Sequence, residues 1–304
     1  MCECMAADTE PIPVHPRKKL RWKPPSPAKL PWSRLVADPS AFADILELYH
    51  YVILTEIPSS VAAACGAASK AFAVFFDSST SVKNECVCRS PGKRCGYRQT
   101  SRSEGIADHC QRESYQVRGD SGSAQPWPSH AVAASAARCA LQLEDVAQRC
   151  LAAALRGAPM PSRLDVEAMT LGPSVLDAFH YLGGPPPGTP DHGGTDGGAT
   201  REVLMYEHLD PGFLTLEPRA SAAGLEVFEG ETEEWRLIEP ELGTGDLVVL
   251  ACEALQRVTA GAIKGSLHRV VSSAERGPRY AIAYELRSLE PSSFAIGDEP
   301  LGRS

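Results

Sequence analysis

The sequence predicts an α+β fold in which helices come first and an antiparallel β sandwich or barrel follows. Three observations carry this expectation. The first half of the chain holds apolar runs at helical spacing, residues 161–290 hold seven or eight short alternating runs, and no helical stretch separates those runs. Short strands without crossover helices between them pair antiparallel, since parallel neighbours need a dozen or more connecting residues.

Residues 1–40 are rich in Pro, Lys, Arg and Ser (PIPVHPRKKLRWKPPSPAKLPW) and offer no period that could be buried. An extended arm is expected there, touching the body through Trp22 and Trp32, with the basic run Arg17 to Lys23 as a solvated tail. Residues 41–160 read as a helical and mixed region. The stretch DPSAFADILELYHYVILTEIPSS reads as a helix capped by Asp38 or Ser40 and then a β-branched, aromatic strand, and VAAACGAASKAFAVFF as a second helix. Asp77 to Asp120 is polar and Gly-punctuated, which predicts loops and short strands that include GYRQ. Ser129 to Leu155 is an alanine-rich helix carrying Val132, Leu141, Leu143, Val146 and Leu151. The β core spans 161–290, from SVLDAFHYL to RYAIAYELR, and 291–304 is a tail. GGPPPGTPDHGGTDGGAT, at 183–200, cannot form an element and predicts a loop over one mouth of the barrel.

Composition narrows the function classes. A chain of 304 residues with 43% hydrophobic content can bury a substantial core, and its net charge of -8 argues against a general nucleic-acid surface. Neither a signal peptide pattern nor an apolar run of membrane-spanning length is read in it, so the expected address is the cytoplasm, with no membrane or nucleic-acid partner. Oligomeric state is left open. Ten cysteines in a chain of this kind are expected to be reduced thiols; the spacing of Cys86, Cys88, Cys95 and Cys110 matches no common structural zinc pattern.

The chemistry sits in two short segments. YEHLDPGFLTL places His208 and Asp210 two positions apart, where a strand would point both side chains to one face. SLHRVV adds His268 from another strand. Two imidazoles and one carboxylate form the set that holds non-haem Fe(II) on one face and leaves the other open. Eleven residues later, Arg279 opens the last strand. Alternation puts Arg279, Ala281 and Ala283 inside the barrel and Tyr280, Ile282, Tyr284 and Leu286 against helices. A buried guanidinium needs a partner: either a protein acid such as Glu285 or Glu207, or a dicarboxylate co-substrate bridging it to the metal.

From these segments the chain resembles the iron and 2-oxoglutarate dioxygenase superfamily, in its isopenicillin N synthase-like branch. EHLDPGFLTLEP is similar to H-x-D-x-G-x-L-T-L, GDLVVLACEALQRVTAGAIKGSLHRVV to the GD-to-HRV stretch, and GPRYAIAYELR to the R-x-S strand. HYVILTEIP, AFAVFFDSSTSVKN, CGYRQTSR with QRESYQV, and SVLDAFHYL resemble earlier motifs, so that the likeness runs from about Ala41 to Leu289. The resemblance implies a double-stranded β-helix (jelly-roll) core with an N-terminal helical region packed on it. It implies Fe(II) on His208, Asp210 and His268, with no catalytic residue beyond these ligands, and 2-oxoglutarate held by Arg279 and Tyr181. The implied reaction oxidises a small organic substrate with O2 and releases succinate and CO2. Two positions depart from the pattern: Ala281 replaces the R-x-S serine and Phe179 the N-x-Y asparagine. An Fe(II)/O2 oxidase without 2-oxoglutarate, and an inactive binding protein on the same barrel, are the alternatives. Substrate coverage is expected from 183–200 and from Asn84 to Asp120.

Overall fold

A computed structural model describes residues 28–90, 94–100, 105–107, 110–119, 124–157, 174–182, 201–273 and 277–287. The elements run β1 (Lys29–Pro31), α1 (Trp32–Ala37), α2 (Pro39–Tyr49), β2 (Tyr51–Thr55), α3 (Ser59–Phe76), α4 (Thr80–Glu85), β3 (Gly96–Thr100), β4 (Arg112–Arg118) and α5 (His130–Gly157). The β core follows as β5 (Val175–Tyr181), β6 (Val203–His208), β7 (Leu214–Pro218), β8 (Leu225–Glu229), β9 (Glu234–Leu237), β10 (Leu247–Ala251), the short helix α6 (Glu253–Val258), β11 (His268–Val271) and β12 (Arg279–Leu286). The loop expected at 183–200, the tail at 291–304 and most of the arm lie outside the described residues. The end of that arm, residues 28–37, forms β1 and α1 and adds a parallel edge to β2.

The strands form two sheets, the jelly-roll core that was expected. The large sheet has the order β1-β2-β10-β7-β12-β5-β4-β3 and the small one β6-β11-β8-β9. The early strands thus join the late ones: β2 pairs with β10, and β4 with β5. The segment expected to cover substrate accordingly contributes two strands to the large sheet, because β3 and β4 pair along Gly96–Thr100 and Arg112–Arg118.

The outer face of the large sheet is closed by helices. α5 is 28 residues long, and Val132, Ala136, Cys139, Leu143, Val146, Ala147, Cys150 and Ala154 recur every three or four positions as its buried stripe. Leu141, assigned to that stripe from composition, falls off its period and is 71% exposed. Ser129 caps the helix by accepting from the Val132 N–H at 3.2 Å. The sequence reading expects no apolar stretch of membrane-spanning length, yet α3 is one by length and composition. Its Val61, Cys65, Ala68, Phe72, Phe75 and Phe76 belong to the main core, which explains the apolar content.

Inner and outer faces of the large sheet differ in chemistry. On β12, Tyr280, Ile282, Tyr284 and Leu286 pack outward into the core while Arg279, Ala281, Ala283 and Glu285 face the other sheet. Register carries the inner row across the sheet: Arg279 lies opposite Tyr181, which lies opposite Arg112; Ala281 lies opposite Phe179, and Ala283 opposite Asp177. Polar side chains therefore line the interior, and apolar ones bond the sheet to its helices.

Candidate metal centre and co-substrate pocket

β6 ends at His208, and Asp210 lies beyond it in a turn, so the two residues do not share a strand as the spacing suggested. The turn is held from α6: the Glu253 N–H donates to the Asp210 carbonyl at 2.9 Å and the Ala254 N–H to the Gly212 carbonyl at 2.9 Å. These are first-turn N–H groups that a helix cannot satisfy itself. His268 opens β11 and pairs in register with His208 across the small sheet. Three residues far apart in sequence therefore converge.

The donor atoms of His208, Asp210 and His268 all lie within 4.8 Å of one another. His208 Nε2 is 3.7 Å from Asp210 Oδ1, and His268 Nε2 is 3.8 Å from Asp210 Oδ2. Two metal bonds of about 2.1 Å can bridge such gaps. On each histidine the other ring nitrogen is tied down: His208 Nδ1 lies 2.9 Å from the Tyr206 carbonyl and His268 Nδ1 3.0 Å from the Ser266 carbonyl. A carbonyl only accepts, so Nδ1 carries the proton and Nε2 presents its lone pair to the shared centre. Burial, reinforced by the His268 imidazole, lowers the His208 pKa to about 4, which keeps that ring neutral and ready to ligate at ordinary pH. Burial alone would raise the Asp210 carboxyl; the two imidazoles and the Thr215 hydroxyl outweigh it and hold the group below its usual value. Two neutral nitrogens and one anionic oxygen with an open side fit Fe(II).

Thr215 is a residue the sequence reading did not assign, although it stands in the L-T-L of the matched motif. On β7 it points inward and donates to Asp210 Oδ2 at 2.5 Å, fixing the carboxylate. Thr215→Val keeps shape and removes that bond, so iron affinity should fall about 10- to 100-fold while the thermal midpoint hardly moves; competitive chelator titration measures it.

Arg279 points into the barrel as expected, but the acid beside it is neither Glu285 nor Glu207. Its Nη2 donates to Glu239 Oε1 at 2.7 Å and its Nε to the Ala222 carbonyl at 3.2 Å. Glu239 also accepts from the Gly224 and Leu225 N–H groups at 3.0–3.1 Å. Gly224 is required here, because a Cβ would lie 2.7 Å from the Val271 carbonyl and 3.0 Å from the Arg279 side chain. Glu285 instead pairs with Arg287, and Glu207 is exposed.

Tyr181 presents its ring to Arg279, with the guanidinium carbon 5.5 Å from the ring centroid, and its hydroxyl reaches Met205 Sδ at 3.8 Å. Arg112 stands on the same ring at 5.8 Å and on Phe179 at 4.9 Å. The residues expected to hold a dicarboxylate are thus neighbours, and a second buried arginine joins them.

Fold and site together define a jelly-roll with a two-histidine, one-carboxylate donor set at its interior. Residues 178–288 match the family model described as the 2OG-Fe(II) oxygenase superfamily. A 2-oxoglutarate-dependent dioxygenase of Didymella fabae is 34% identical over 158 residues, covering 45% of each chain. The chain therefore spans less than half the length of that curated relative. Among solved structures, a full-length Neurospora crassa protein in complex with alpha-KG superposes with a TM-score of 0.66 at 19% identity, covering 89% of each chain. The Arabidopsis thaliana dioxygenase for auxin oxidation, as its 2-oxoglutarate binary complex, gives 0.61 at 16%, covering 90% of this chain and 98% of that one. These two likenesses speak to the fold.

Proposed function

We propose that this protein is an Fe(II)- and 2-oxoglutarate-dependent oxygenase that oxidises a small organic substrate with O2 and releases succinate and CO2. The observation that carries the reading is the meeting of two Nε2 lone pairs and one carboxylate, each oriented by its own backbone or hydroxyl partner. Bound Fe(II) would supply oxygen activation, with His208, Asp210 and His268 holding it. The chain's own residues do the rest. Arg279 and Tyr181 receive the far carboxylate of 2-oxoglutarate, and Thr215 keeps Asp210 in position. The cytoplasm is its proposed compartment, supported by core cysteines such as Cys139, Cys150 and Cys252 that stand as buried thiols.

The test is an anaerobic titration of the protein with Fe(II) and then 2-oxoglutarate, followed by its weak visible charge-transfer absorption. A band supports the reading. Iron binding without a band favours a second reading, an Fe(II)/O2 oxidase without 2-oxoglutarate, which Ala281 opposite Phe179 and the Arg279–Glu239 pair make specific. Failure to bind iron overturns both.

A further inference from the structure

On β7, Leu214 and Leu216 are fully buried on the helix side, whereas Glu217 follows Thr215 onto the inner face and keeps partial access to the interior. Its neighbours on the flanking strands are small or apolar: Val248 lies opposite on β10, and Ala283 stands one step beyond the Leu216–Tyr284 pair on β12. The charges that act on Glu217 come from two directions. Arg279 and Glu239 act from one end, and His268 and Asp210 from the other. Arg279 in turn feels Glu217 as well as Glu239. Burial pushes the Glu217 carboxyl up to about 7, with Arg279 opposing that rise.

By register Glu217 stands on the inner face between Thr215, which holds Asp210, and the end of β12 that carries Arg279, along the span that a co-substrate bridging metal and guanidinium must occupy. Arg279 already has Nη2 on Glu239 and Nε on a carbonyl, so an entering carboxylate meets a cation whose charge is balanced. A second acid on the same inner face offsets the Arg112 guanidinium, so the two arginines of the pocket are matched by two carboxyl groups, Glu239 and Glu217. We propose that Glu217 determines co-substrate affinity, opposing the dianion 2-oxoglutarate and holding its binding weak. The proposal rests on reading the site as a 2-oxoglutarate pocket. Its consequence is an enzyme that saturates only at high co-substrate concentration.

The experiment compares wild type, Glu217→Gln and Glu217→Leu, each loaded with Fe(II) under anaerobic conditions at pH 8, where the carboxyl is ionised. 2-Oxoglutarate is titrated by calorimetry and by the visible band, and 2-oxobutyrate, which lacks the distal carboxylate, is titrated in parallel. Removing one like charge at close range should tighten 2-oxoglutarate about tenfold in both variants. It should change 2-oxobutyrate by less than about threefold, since that ligand brings no charge to the guanidinium end and repulsion weakens with distance. Glu217→Leu guards against a hydrogen bond introduced by the amide. Unchanged or weakened 2-oxoglutarate binding in both variants, with folding and iron loading intact, overturns the proposal alone. Absence of 2-oxoglutarate binding in all three proteins overturns the pocket reading and the proposal with it.

Discussion

Asp210→Ala should abolish stoichiometric Fe(II) binding and, with it, substrate-dependent release of succinate. The physical reason is charge as well as geometry. Asp210 is the anionic donor of the trio, and its two oxygens face His208 and His268 at 3.7 and 3.8 Å. Without it, two neutral imidazoles must hold a divalent ion alone. Loss of an outer-shell partner costs about 10- to 100-fold in affinity, so loss of a ligand should exceed about a hundredfold. Metal analysis after gel filtration and chelator competition read the result. The carboxylate is partly buried between two rings, and the Thr215 hydroxyl that donates to it also reaches Cys252 Sγ at 3.3 Å, so its removal strands little and the fold should survive. Retention of one iron per chain in the variant would disprove the ligand assignment.

Glu239→Ala should be the most destabilising single change near the site. Arg279 and Glu239 are 5% and 4% exposed in their side chains, so truncating the acid strands a buried guanidinium. It also leaves the Gly224 and Leu225 N–H groups without their acceptor. Breaking a buried pair from one side costs about 3–5 kcal/mol. For a domain of this size that lowers the thermal midpoint by roughly 10 °C. Glu241→Ala is the control: its contacts to Lys29 at 3.8 Å and Arg236 at 4.0 Å are long and solvated, and a change below about 1 kcal/mol is expected. A Glu239→Ala midpoint within a degree or two of wild type would show that Arg279 finds another partner, contrary to the buried ion pair described above.

Much of this site could be read from the chain before folding. His208, Asp210, His268 and Arg279 announce themselves because each sits at a fixed offset inside an apolar, alternating run, and the structure brings the first three together and turns the fourth inward. The strands of the core were legible for the same reason, as was the long helix. Three features were not. The turn after His208 takes Asp210 out of the strand, since α6, more than forty residues later, supplies the N–H groups that hold it. The acid paired with Arg279 lies forty residues upstream in a short turn with no periodic signal of its own. The polar stretch between α4 and α5 reads as loop, yet its two strands find a sheet edge at β5.

The sequence by itself determined the order of helices and strands, which face of β12 carries the arginine, and which three side chains can serve as donors, because periodicity and residue chemistry are local properties. Only the tertiary structure decided which acids surround Arg279, that Thr215 orients Asp210, and that Glu217 faces the span between guanidinium and metal. Those outcomes depend on strand register and on contacts between distant segments, and charges buried together act on one another through space regardless of their separation along the chain.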